Sequence, residues 1–282
     1  MHQPLRPPMK KLLFLATTLL ATNFAIANPA PVTTAVNPTT ADTQTEAVII
    51  NSHLKVISKT TNEENQALNY TLNATYPQIV GTPLSPAAEN FNQHITNMVT
   101  TEIEQFKNSV KHDLPHMKTL PEDVRHNTLS IDYDVDVIHP NPLSLVSIRL
   151  NIEGMQAGRA HPFHVYRVLN FDLSNNKELA LSDLFKPKTN YLQSLSKYSS
   201  EKLTASLKDK WMIASGAKAN PTNYKNWNIQ ADSILITFDE YQVAPYTNGP
   251  QEVEIPFSEL KNIFSPNALI ISEAKDASST VG

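Results

Sequence analysis

The sequence predicts an α+β fold: mainly antiparallel sheets, built as hairpins and a meander, packed with two principal amphipathic helices. Three observations lead there. Strand-like alternation falls in adjacent runs that short polar turns can join, helical periodicity is confined to two blocks, and strands and helices do not alternate one by one as a doubly wound sheet requires.

An opening strand pair is read in AVIINSHLKVIS (47–58) and ALNYTLNATYP (67–77), where apolar and polar residues interleave before PQIVGTPLSP turns the chain. Between Ser85 and Asp113, Phe91, Ile95, Val99, Ile103, Phe106 and Val110 recur at every third or fourth position, the repeat of one helix face. Ser85 is placed to cap this helix, Pro86 suits its first position, and Pro115 is expected to end it. The strongest strand pair follows. LSIDYDVDVIH (129–139) alternates Ile131, Tyr133, Val135 and Val137 against Asp132, Asp134 and Asp136, and LVSIRLNIE (145–153) does the same, with PNP between them as a hairpin turn.

FHVYRVLNFDL (163–173) adds a third strand to that meander. After LALSDLF (179–185), Thr189–Lys208 repeats Leu192, Leu195, Leu203 and Leu207 as the second amphipathic helix. A loop around SGAKANPTN leads to WNIQADSILITFDEY, a further strand pattern, then to the turn QVAPYTNGPQ, the strand EVEIPF and a short helix SELKNIF stopped by Ser265-Pro266.

The two ends read differently. From Met9, MKKLLFLATTLLATNFAIA has Lys10 and Lys11, an apolar core too short for a bilayer, and small residues Ala25 and Ala27. Residues 1–27 are therefore expected to be a secretory signal cleaved near Ala27, whether translation starts at Met1 or Met9. Residues 28–46, rich in Pro, Thr and Ala, read as a disordered linker, and 267–282 as a weakly patterned tail. No later apolar run approaches the ~20 residues of a membrane span, so a periplasmic or secreted product is expected.

The chain of 282 residues carries 23 basic and 27 acidic side chains, a net −4. Without Arg6, Lys10 and Lys11 the mature chain has 20 against 27, a net −7. That sign disfavours nucleic acid and suits basic partners. Cysteine is absent, which excludes disulfides, thiol catalysis, thiolate metal ligands and a cysteine lipid anchor.

Several residues are candidates for chemistry. His161 and His164, in GMQAGRAHPFHVYRV, are three apart; a strand would send them to opposite faces, whereas a bend could unite them. Zinc needs a third ligand, and none stands in a hydrolase spacing such as HExxH, so no metal and no cofactor is expected. Gly158 more readily supplies a positive φ. Asp132, Asp134 and Asp136 would hold their carboxylates about 7 Å apart along a strand, too far for one calcium ion, and read as a solvated acidic face able to attract a cationic protein. No GxSxG elbow or phosphate-cradling glycine loop is present, so no catalytic residue is assigned. Trp211, Tyr224, Trp227, Tyr241 and Tyr246 could stack on sugar rings or serve as core.

Taken together, TYPQIVG, the 91–110 helix, GRAHP leading into NFDLSNNKELALSDLF, and NYKNWNIQADSILITFDEYQVAPYTNGPQEVEIPFSELK resemble the RsiV/PdaC-like exported domain family over about Val48 to Phe264. The resemblance implies an N-terminal PdaC-like α+β portion at 47–155 and a C-terminal RsiV-like α+β domain at 156–266. In the family this region is a lysozyme receptor in RsiV-type anti-sigma factors and an accessory beside the catalytic domain of PdaC-type deacetylases. No counterpart of the deacetylase unit is found here. Arg159 stands where relatives often have a second glycine, a departure at the loop itself.

The expected function is thus an exported, non-enzymatic binding module for a lysozyme-like protein or cell-wall glycan. Its contacts would come from Arg159, His161, His164, Tyr241, Tyr246 and the acidic face of Asp132, Asp134 and Asp136. The alternative is a cell-envelope hydrolase or metal-dependent enzyme centred on His161 and His164.

Overall fold

The computed structural model describes residues 47–138 and 144–265. The expected signal, the linker, the PNP turn and the tail lie outside the described residues. The fold is α+β. A seven-stranded sheet runs in chain order through β1 (Val48–Ile49), β2 (Leu54–Asn65), β3 (Tyr70–Gly81), β4 (Asn127–Ile138), β5 (Leu145–Met155), β6 (Phe163–Asp172) and β7 (Lys177–Glu178). All neighbouring pairs are antiparallel except β3 and β4, which run parallel. The intervening helix α1 (Pro86–Met117) returns the chain between them, as a parallel pair requires.

The apolar stripe of α1 does what its spacing predicts. Phe91, Ile95, Val99, Phe106 and Val110 are buried against Leu72, Ile131, Ile148, Leu150 and Ile152 on one face of the sheet. Ser85 caps the helix by accepting from the Ala88 N–H. The expected stop at Pro115 is corrected: the helix continues to Met117 with Pro115 inside its last turn. So near the end, the hydrogen bond that proline removes concerns a carbonyl close to those a terminus leaves unpaired in any case.

A second layer follows. The helix α2 (Tyr191–Ser206), a short helix α3 (Lys210–Gly216) and a three-stranded antiparallel sheet of β8 (Trp227–Ile229), β9 (Ser233–Phe238) and β10 (Gln251–Pro256) lead to α4 (Phe257–Leu260). The single strand pattern read in 227–241 is thus a hairpin, β8 to β9. The last helix is also shorter than read, since Ile263 and Phe264 lie beyond it. A second core unites Leu195, Leu203, Ile213, Ile234, Ile236 and Phe264 with Ile138 and Leu145 of the large sheet.

The two layers are joined by an apolar seam, where Ile138 of β4 and Leu145 of β5 enter the second core, and by a polar patch beside it. Residues 134, 147, 149 and 170 of the large sheet point toward the small one, opposite to the face that α1 covers. The Asn170 side chain acts as a surrogate peptide group: its Nδ2 donates to the Trp227 carbonyl at 2.8 Å and its Oδ1 accepts from the Ile229 N–H at 3.0 Å. Asn228 donates in return to Ser147 Oγ and to the Ile148 carbonyl, each at 2.9 Å. Since β6 pairs with β5 from Leu145↔Asp172 to Gly154↔Phe163, the large sheet is continuous across residue 155.

Candidate functional site

The register of β4, β5 and β6 sets out rows of side chains across the outer face of the large sheet. One row is Ser130, Glu153 and His164; the next is Asp132, Asn151 and Tyr166; the third is Asp134, Arg149 and Val168. The small sheet covers the third row. The first two stay at its margin and form a shallow pocket of about 50 Å³ whose lining includes Ser130, Asp132, Asn151, Glu153, His164 and Tyr166.

The solvated acidic face expected of Asp132, Asp134 and Asp136 is corrected by this cover. Asp132 is exposed, but Asp134 is 1% exposed and holds the 4% exposed Arg149, whose Nη2 donates to Asp134 Oδ2 at 2.8 Å. Arg149 Nη1 donates onward to Thr237 Oγ1 at 2.9 Å and Glu252 Oε1 at 2.5 Å, crossing from one layer to the other. Burial works against the Arg149 charge, and Glu252 and Asp134 more than offset it, so its pKa stays above the usual value. Asp136 is half-buried with Oδ2 shielded and unpartnered; burial first, and the charge of Asp134 second, push its carboxyl up to about 6.

The loop after β5 is shaped by Gly158, which has φ +74° and donates its N–H to the Val124 carbonyl at 2.9 Å. It delivers His161 to the second layer. The His161 ring lies 4.0 Å from that of Tyr246 and 6.5 Å from that of Tyr241, whose rings are themselves 5.6 Å apart. Tyr246 also donates its hydroxyl to the Pro162 carbonyl at 3.2 Å. Burial, with Glu240, Tyr241 and Glu153 adding to it, holds the Tyr246 phenol above its ordinary pKa.

On the opposite side the loop after β9 is pinned by Gln242. Its Nε2 donates to the carbonyls of Gly216 and Asn223, and its Oε1 accepts from the Asp239 N–H. Tyr241, 56% exposed, is held at φ +62°, a conformation that costs a non-glycine residue roughly 1–2 kcal/mol. The loop therefore presents an aromatic ring to solvent against backbone preference.

His164, the second residue of β6, lies beside this cluster. Its Nδ1 is 2.6 Å from Glu240 Oε1 and its Nε2 3.3 Å from Glu153 Oε1. The two ring nitrogens face opposite ways, so these carboxylates sit on opposite edges of the imidazole instead of meeting at one point. Among the described residues no group of three or more His, Asp or Glu is placed to hold a metal ion. The structure thus brings His161, Tyr241 and Tyr246 together, sets His164 alongside with other partners, and leaves Arg159 exposed in the turn, with no side-chain hydrogen bond or ion pair among the described residues.

Glu240, which adjoins Tyr241 in FDEYQVAPY, is a residue that the sequence reading missed; Glu153 is near the histidines in sequence, and the β5–β6 register sets it opposite His164. A larger cleft, of about 360 Å³, lies elsewhere between Val168 and Asn170 of β6, Leu181, Tyr191 and Trp227. Trp227 and Tyr224 are core residues, whereas Trp211 is exposed. No helix among the described residues is long and apolar enough to cross a membrane.

Residues 182–258 match the model of DUF3298, a protein family of unknown function. The chain is 28% identical over 203 residues to the peptidoglycan-N-acetylmuramic acid deacetylase PdaC of Bacillus subtilis, a match spanning 71% of this chain and 40% of that protein. It is 31% identical over 143 residues to the anti-sigma-V factor RsiV of the same organism, spanning 48% of each. The chain spans less than half the length of either relative. A crystal structure of a DUF3298 member from Bacteroides fragilis shares the fold, with a TM-score of 0.55 at 20% identity over 79% of this chain and 98% of that one. The RsiV/PdaC-like resemblance read from the sequence is borne out by these matches.

Proposed function

We propose, on the premise of an RsiV/PdaC-like chain with a DUF3298 match at 182–258, that the protein is an exported binding module of the cell envelope. It recognises a lysozyme-like cationic protein, or the cell-wall glycan such an enzyme acts on, and does no chemistry itself. The observation that carries this reading is the cluster of His161, Tyr241 and Tyr246, assembled from two layers and bordered by Glu153 and Glu240. Aromatic rings beside carboxylates, with His161 and Tyr241 exposed and Tyr246 half-buried, suit both partners: rings anchor a protein contact or stack on sugars, and carboxylates meet basic side chains. The one neighbouring strained residue, Tyr241, is held where a ligand can reach it.

The test is titration calorimetry of residues 28–282 with lysozyme and, separately, with soluble peptidoglycan fragments. Binding of lysozyme that weakens with salt, and that falls about tenfold or more in Tyr246→Ala, is the expected result for a protein partner. Competition by the fragments at the same residues would assign the glycan instead. No binding of either, with lysozyme fully active at excess protein, would remove the proposal.

A second reading, a cell-envelope hydrolase centred on His161 and His164, draws on the placement of His164 between Glu153 and Glu240. Release of soluble fragments from purified cell walls, abolished in His164→Ala, would favour it over the binding module.

A further inference from the structure

We propose that the face of α3 that bears Trp211 docks on an anionic phospholipid bilayer surface. Trp211 is 79% exposed, the most exposed large apolar side chain among the described residues. Such exposure of an indole is unusual on a free surface, because it is among the largest apolar groups a chain can bury.

The surroundings of the ring name the partner. Lys210, Trp211, Ala214, Ser215 and Lys218 are all exposed, whereas Ile213, Gly216 and Ala217 are buried, so the helix turns one side to its own core and the other to solvent. Lys208 just before it and Lys202 near the end of α2 are exposed as well. From Lys197 to Lys225 there are six lysines and two acids, Glu201 and Asp209, in a mature chain whose net charge is −7. The charge of this segment is therefore opposite to that of the rest of the protein. Lys208, Lys210 and Lys218 have no ion pair among the described residues, unlike Lys225, which lies 2.7 Å from Asp239.

Lysines around a single indole, flanked by the half-buried Leu207 and Met212, match the interface of an anionic membrane. There a tryptophan ring settles at headgroup depth and ammonium groups meet lipid phosphates. A soluble polyanion would use the lysines and leave the indole without a role. This face is distinct from the cluster at His161 and is independent of what that cluster binds.

The experiment uses residues 28–282, which lack the apolar leader that would itself enter lipid. The protein is mixed with phosphatidylcholine vesicles and with vesicles containing phosphatidylglycerol, then sedimented. Binding to the anionic vesicles alone is expected, with a blue-shifted tryptophan emission and release by added salt. The chain has two tryptophans and Trp227 is buried, so the shift reports Trp211.

W211A should abolish the shift and weaken sedimentation, while its thermal unfolding stays that of the parent. K208Q combined with K210Q should weaken binding by about 25-fold, at about fivefold per lysine. H161A should leave vesicle binding unchanged. Equal binding to both vesicle types, no binding to the anionic ones, or capture by heparin without vesicle binding would each overturn the proposal.

Discussion

Asp136 shows how far burial can set apart residues that look equivalent in sequence. Its folded pKa of about 6 lies above the ordinary 3.8, so the folded state keeps a proton that the unfolded chain releases. That contribution to stability is full below about pH 4 and is lost as pH rises through about 6. Asp136→Asn should therefore stabilise the fold by about 1–2 kcal/mol at pH 7.5, have little effect at pH 4, and flatten thermal stability between those values. Arg149→Met should act oppositely, costing about 3–5 kcal/mol in chemical denaturation because it leaves Asp134 buried without its partner. The alternation correctly put these aspartates on one face, but the cover provided by the small sheet is a contact between residues about 90 apart and left no mark on the strand's own pattern. Arg149 in a polar slot of the neighbouring strand was the one local hint.

At the scale of elements, legibility followed how much apolar surface each element buries. The helix α1 and the β4–β5 pair have long repeats and were readable. The helix α3 has no legible signal in the sequence, since it is short, buries Ile213 as its one large apolar residue, and contains a glycine. That glycine is there for proximity: a Cβ on Gly216 would lie 1.8 Å from the Gln242 carbonyl oxygen. Gly216→Ala should thus push α3 off the loop that carries Tyr241, lowering the thermal midpoint and weakening partner binding together. Gly158 serves the other loop differently. Its φ of +74° disfavours any side chain, and a Cβ would come 2.8 Å from Leu120. Gly158→Ala should cost about 1–2 kcal/mol in denaturation and weaken any binding that depends on His161. The convergence of His161 with Tyr246 had only the resemblance to suggest it, since 85 residues separate them and no periodicity spans such a gap.

For the whole molecule, Ile138 and Leu145 of the large sheet reach into the second core, and beside them the two apolar cores meet across a polar patch of Asn170, Asn228, Ser147, Asp134, Arg149 and Thr237. Groups of this kind are costly to bury unless each finds its partner, so the layers should part only when both unfold. Tryptophan emission, dominated in its change by buried Trp227, and far-UV circular dichroism should then trace one denaturant transition; two separated transitions would show layers that melt independently. The surrogate peptide group of Asn170 fixes the frame in which one sheet meets the other. A partner gripping His161 on the loop of one sheet and Tyr241 on the loop of the other would therefore gauge a spacing as well as a chemistry, and any substitution that lets the sheets slide could silence recognition while every contacting side chain remained in place.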